Sequence, residues 1–225
     1  MKTIIYVDGY NLFYGCLKHS GDKWLDLKAL LADQILHVQN PHSELVKIKF
    51  FTADIKSKVA SNGAAAQHAQ QAYHRALCVR YPDEIDIIKG YYSLEKARLL
   101  TFKQPPDKTD RVDVWRLEEK QTDVNIALEA YRDASKGLAK QLVFVSNDTD
   151  LAPALKAIRD DFGTSLVLGT VIPVRGSGSG RPPNKQLSQY CDWTRSHITD
   201  IELRESHLPE VVATGKKPVM KPEYW

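Results

Sequence analysis

The sequence predicts an α/β fold, a mostly parallel β-sheet with helices on both faces. Three observations carry this. β-rich runs alternate with helical patterns along the 225 residues, the order that builds a parallel sheet. Two of those runs, residues 3–7 and 142–145, are apolar and read as buried strands. Both end in carboxylates, Asp8 after the first, then Asp148 and Asp150 after the second. Sites on such sheets gather at the carboxyl ends of strands, near the point where strand order reverses.

The elements follow in order. Residues 3–8 form the first strand, and residues 11–17 turn into a helix behind Asp8. Leu27, Leu30, Leu31 and Ile35 keep helical spacing and predict a second helix. Pro41 and Ser43 mark a turn, and residues 45–53 predict a strand ending at Asp54. Asn62-Gly63 breaks the chain. Residues 64–81, rich in Ala, Gln and Leu, predict a helix that Pro82 stops. Residues 85–92 predict a strand, and 93–111 an excursion with a basic face, read as a hairpin. Residues 112–117 predict a further short strand. Thr122 is read as a helix N-cap, with Val124, Ala127, Leu128 and Tyr131 as the buried stripe and Asp123 in the first turn. The strand 142–145 runs into a helix that tolerates Pro153 in its first turn and stops at Gly163. Residues 165–173 predict the last core strand. The Gly/Ser-rich stretch 175–185 reads as a flexible loop, residues 187–194 as a short helix, and residues from 214 as an irregular tail. The domain is therefore expected over 1–205, with a tail over 206–225.

Composition sets bounds. A hydrophobic share of 43% and a charged share of 26% describe an ordinary globular protein. No apolar run approaches the ~20 residues of a membrane span, and the first residues read as a strand rather than a leader peptide. Cys16, Cys78 and Cys191 are scattered without ligand spacing, which suits reduced thiols in a cytoplasmic protein. The formal net charge of +3 permits a polyanionic partner without requiring one.

Singly, each acid has an ordinary role as a cap, turn or first-turn residue. Together, Asp8, Asp123, Asp148 and Asp150 recur at strand-to-helix junctions, where converging carboxylates repel unless a cation or proton relieves them. Carboxylates without His or Cys select a hard ion, Mg2+ or Mn2+. Such an ion can activate a water for phosphodiester hydrolysis. Asn11 adds a neutral contact.

These residues carry a resemblance. Tyr6-Val7-Asp8-Gly9-Tyr10-Asn11-Leu12, Lys120-Gln121-Thr122-Asp123-Val124 and Ser146-Asn147-Asp148-Thr149-Asp150-Leu151 are together similar to the motifs of the NYN domain family of PIN-like nucleases. The resemblance spans residues 1 to about 175. It implies a Rossmann-like (PIN-like) sheet and a metal-dependent ribonuclease, with Asp8, Asp123, Asp148 and Asp150 as the catalytic and metal-holding acids. The late motif commonly reads Ser-Gly-Asp in that family. Asn147 stands in place of the glycine here, where a side chain crowds the expected substrate path. RNA is the expected partner, through Tyr10, Asn11, Lys120, Ser146, Asn147, Arg175, Arg181 and Lys185. Tyr14 is a second aromatic of interest for stacking. The oligomeric state stays open, a homodimer included. Two alternatives stand beside this reading: an inactive NYN domain that binds RNA or protein, and another Mg2+-dependent phosphate-ester hydrolase.

Overall fold

The structure is a computed structural model that describes residues 1–176, 184–215 and 217–225. The expected α/β architecture is present. Among the described residues a seven-stranded sheet has the order β4 (Arg111–Lys120), β3 (Ile85–Leu100), β2 (Glu44–Ala53), β1 (Lys2–Asp8), β5 (Gln141–Val145), β6 (Val167–Val171) and β7 (Trp193–Arg195). All its pairings are parallel except β3 with β4. The central strand β1 (Lys2–Asp8) lies between β2 (Glu44–Ala53) and β5 (Gln141–Val145). Chain order reverses at β1, so a crevice opens beyond its carboxyl end. No helix among the described residues is long and apolar enough to cross a membrane.

Alternate residues of β1 feed two cores, as the period-2 geometry of a strand requires. Ile5 and Val7 face a first core with Trp24, Leu30, Ile35, Tyr73 and Leu77. These come from the loop and π-helical stretch Ala29–Leu36 and from α3 (Gly63–Arg80). Ile4 and Tyr6 face a second core with Ile126, Ala130, Leu155 and Ile158, from α4 (Thr122–Ser135) and α5 (Ala152–Phe162). On this side a buried polar knot ties three elements. The Tyr6 hydroxyl donates to Asp133 at 2.8 Å, and the Lys49 ammonium reaches Asp133 at 2.6 Å and Glu129 at 2.7 Å.

Several local expectations need correction. The buried face of α4 is Ile126, Ala130 and Ala134, while Val124, Leu128 and Tyr131 are exposed. The small alanines let this helix sit close to the sheet, so size decides which face turns inward. Gln121, at φ +76°, is the N-cap of α4, and Thr122 begins the helix with its hydroxyl on Glu119. Residues 167–171 form β6 but not the edge. Strand β7 (Trp193–Arg195) adds beyond it, where a helix was expected over 187–194. The helix there is α6 (Lys185–Ser188), capped by Asn184. A further helix, α7 (Asp200–Glu205), carries a capping box between Thr199 and Glu202. The C-terminal stretch is not irregular. β8 (Val211–Val212) pairs with β9 (Val219–Met220), and Val212, Val219 and Trp225 pack on the first core. The excursion after β3 is a long hairpin. β3 runs Ile85–Leu100, and β4 returns over Arg111–Lys120.

Candidate functional site

Asp8 ends β1 and caps α1 (Gly9–Leu12), which continues as a π-helical turn over Phe13–Leu17. The turn is tight. A Cβ at position 9 would stand 2.6 Å from the Phe51 carbonyl oxygen, so only glycine lets the chain bend there. Asp8 is buried, and its oxygens accept from the Asn11 amide N–H (2.9 Å), the Asn11 side-chain Nδ2 (2.6 Å) and the Ser146 hydroxyl (2.9 Å). Ser146 Oγ in turn accepts from the Asp148 N–H at 3.1 Å. One hydroxyl thus couples the ends of β1 and β5.

Asp148 caps the 3-10 turn Thr149–Leu151, and Asp123 lies in the first turn of α4. One carboxylate oxygen from each of Asp8, Asp123 and Asp148 lies within 4.8 Å of the others. Among the described ion pairs, no lysine or arginine bridges them. Burial, then the charges of Asp8, Asp148 and Asp150, push the Asp123 carboxyl up to about 6. Burial also raises Asp8, against the hydrogen bonds from Asn11 and Ser146. Glu119 stands near, raised by burial although Thr122 donates to it. Three close, unpaired carboxylates of oxygen character fit a hard divalent cation.

The cluster opens into a cleft of about 580 Å³. Tyr10 and Tyr14, with centroids 4.4 Å apart, form one wall. Phe50, Tyr73, His74 and Trp225 form another, and Tyr92, Leu117 and Glu119 close the side at the base of the hairpin. His74 is buried, its Nδ1 has no hydrogen-bond partner, and burial lowers its imidazole to about 4.

The expected site residues divide. Asp8, Asp123 and Asp148 converge, and Tyr10 and Asn11 line the cleft. Asp150 lies outside the three-acid cluster. It is exposed, and its N–H serves the Asp148 cap. Arg175 does not line the cleft; it binds Asp22 at 2.6 Å, Asp200 at 2.5 Å and the Cys16 carbonyl at 3.3 Å. Lys120 pairs with Glu118, and Lys185 begins α6; neither lines the cleft. Ser146 and Asn147 support the site from behind: Asn147 Oδ1 accepts the Asn184 N–H at 2.9 Å, anchoring the start of α6 instead of crowding a substrate path. Arg181 lies outside the described residues. Glu119, Tyr92, His74 and Trp225 were not singled out by sequence. The strand pattern around Tyr92 and Glu119 held a weak signal, whereas His74 and Trp225 reach the cleft only through tertiary packing.

No protein-family model matches the chain. The 6-hydroxy-3-succinoylpyridine 3-monooxygenase HspA of Pseudomonas putida (strain DSM 28022 / S16) is 40% identical to it over 241 aligned positions, covering 100% of this chain and 75% of that protein. The chain belongs to the family of that enzyme. A crystal structure of a protein of unknown function, VPA0982 from Vibrio parahaemolyticus RIMD 2210633, aligns at a TM-score of 0.50 and 18% identity over 92% of this chain and 96% of that one. That likeness concerns the fold alone.

Membership in the HspA family corrects the functional expectation. The motif resemblance implied a ribonuclease, and the full-length relative is named a monooxygenase. The expectations of RNA hydrolysis, of hydrolase chemistry and of an NYN label as a guide to activity are set aside. The family is one of enzymes. Of the four acids expected to cluster, Asp8, Asp123 and Asp148 converge and Asp150 does not, and such a grouping does not name a reaction.

Proposed function

We propose that the chain is an oxygenase acting on a hydroxypyridine that carries an acidic side chain. The observation that carries this reading is the 40% identity over the whole chain to an enzyme named for that chemistry. The cleft supports it, since its aromatic walls suit a flat heteroaromatic ring. The relative's name puts the new oxygen on ring carbon 3, which already bears the acyl chain, so the ring C–acyl bond breaks as a ring C–O bond forms; one atom of O2 stays as the ring hydroxyl and the acyl group leaves as a carboxylic acid that carries the other. A hydride donor of the reduced nicotinamide class brings two electrons and one proton, and one proton from solvent completes the balance.

Asp8, Asp123 and Asp148 would hold a divalent cation, Mg2+ or Mn2+ by donor type. When bound, the cation supplies positive charge that relieves the three carboxylates. The protein's own groups do the rest. Tyr10, Phe50 and Tyr73 sandwich the ring and exclude water. Glu119, its carboxyl raised by burial, holds or accepts a proton beside the ring hydroxyl. Asn11 and Ser146 keep Asp8 in place.

The test is oxygen uptake with 6-hydroxy-3-succinoylpyridine, reduced nicotinamide and Mn2+, under 18O-labelled O2. The expected outcome is one labelled oxygen in the ring product, with a rate at least about 100-fold lower in Asp8→Asn, in line with loss of an electrostatic group worth ~2.7 kcal/mol or more. Label arriving from water, or equal rates in the two proteins, would reject the proposal.

A further inference from the structure

The cleft lining carries charges of both signs: Asp8, Asp123, Asp148 and Glu119 line it, and so do Lys18, Lys23 and Lys56. Several lysines elsewhere pair with acids, such as Lys28 with Glu84, Lys47 with Asp86, Lys49 with Asp133, Lys89 with Asp54 and Lys156 with Asp160, while others on the open surface do not. Among the described residues, Lys18, Lys23 and Lys56 have no such partner. Two of them lie over rings instead. The Lys18 ammonium is 4.6 Å from the Tyr14 centroid and that of Lys23 is 5.8 Å from Tyr224, contacts that hold a cation in place without neutralising it.

His74 adds an imidazole to the same lining, largely buried and held uncharged near neutrality by that burial, so it brings no charge to compete with the lysines.

We propose that Lys18, Lys23 and Lys56 form a carboxylate-binding subsite that orients a flat aromatic acid, its ring toward the Asp8–Asp123–Asp148 cluster and its carboxylate among the lysines. Charge arithmetic fixes the direction. Three aspartates with one divalent cation still carry one negative charge, and Glu119 adds to it when ionised. An anionic side chain is repelled there and attracted by three unpaired ammonium groups. The uncharged ring is left for the aromatic walls.

The inference rests on the proposed substrate class, so its test reads binding without turnover. The affinities of 3-succinoylpyridine and of its terminal amide, which differ in one charge, are measured by titration calorimetry with no reductant present. The wild-type protein should bind the acid about tenfold or more tightly than the amide, and 0.5 M salt should compress that ratio. Lys18→Met, Lys23→Met and Lys56→Met should each lower acid affinity severalfold and leave amide affinity unchanged. The triple variant should bind both alike. A Lys→Gln set, with folding checked by circular dichroism, replaces any methionine variant that fails to fold. A wild-type protein indifferent to the charge, or a triple variant that keeps the preference, overturns the subsite. A protein that prefers the acid but incorporates no oxygen keeps the subsite and loses the oxygenase reading; the reverse pattern does the opposite.

Discussion

Ser146 is a hydroxyl with two obligations. It donates to Asp8 and accepts from the Asp148 N–H. In Ser146→Ala the buried Asp8 carboxylate loses a donor and the part-buried Asp148 N–H loses its acceptor, a loss of about 1–3 kcal/mol. Urea denaturation should show a lower midpoint with an unchanged slope. His74 supplies a pH signature. Its folded-state value of about 4 lies below its ordinary 6.5, so between those values the unfolded chain binds the extra proton and stability falls as pH falls. Asp123, raised to about 6, works in the opposite sense, so the measurement is a difference. Thermal midpoints of wild type and His74→Phe should diverge in slope between pH 6.5 and 4, with the wild type losing more. Asp8, Asp123 and Asp148 were legible in the sequence because each closes a strand or opens a helix. The spacing of Asp148 and Asp150 was read as bringing both to one pocket, whereas only Asp148, the cap of the 3-10 turn, joins the cluster.

At the level of elements, the strands of the core were readable from apolar runs, and the exceptions share a cause. The α4 stripe was assigned by hydrophobicity, but Ala130 and Ala134 face the sheet because close packing there rewards small side chains. β7, β8 and β9 are two or three residues long, too short to show a period. The β3–β4 arm is different again. Its paired register runs from Tyr91 with Lys120 to Leu100 with Arg111. Gly90 marks its root: a Cβ there would lie 2.4 Å from the Lys120 carbonyl oxygen. Side-chain bonds of the outer arm, such as Lys96 with Asp113 and Thr101 with Asp110, stay within it. A two-stranded hairpin alone adds little stability. Replacing residues 99–112 by a two-residue Asn-Gly turn, which keeps the Arg98–Asp113 pairing, should therefore leave the melting midpoint within a few degrees of wild type, whereas Gly90→Val should lower it clearly. Differential scanning calorimetry of both variants checks the contrast.

For the whole molecule, the topology explains why acids from opposite halves of the sequence meet. β1 and β5 are neighbours, and α4 approaches the same edge from the second core. Binding of a cation to the folded state alone raises stability by mass action. Mn2+ titration should raise the melting midpoint of the wild type and leave that of Asp148→Asn nearly unchanged. The fold class was accessible from the alternation of elements. The family was not, because the same acidic edge serves unrelated chemistries and the likeness to HspA shows only when the two sequences are aligned along this chain.

The knot of Tyr6, Lys49, Glu129 and Asp133 lies across the sheet from the cleft, yet it clamps β1, β2 and α4 together, the parents of Asp8 and Asp123. The spacing of the donor atoms is thereby gauged from the back of the protein. An engineer seeking to widen or narrow the gap between Asp8 and Asp123 should begin at Lys49, since altering the pocket lining leaves that calliper set.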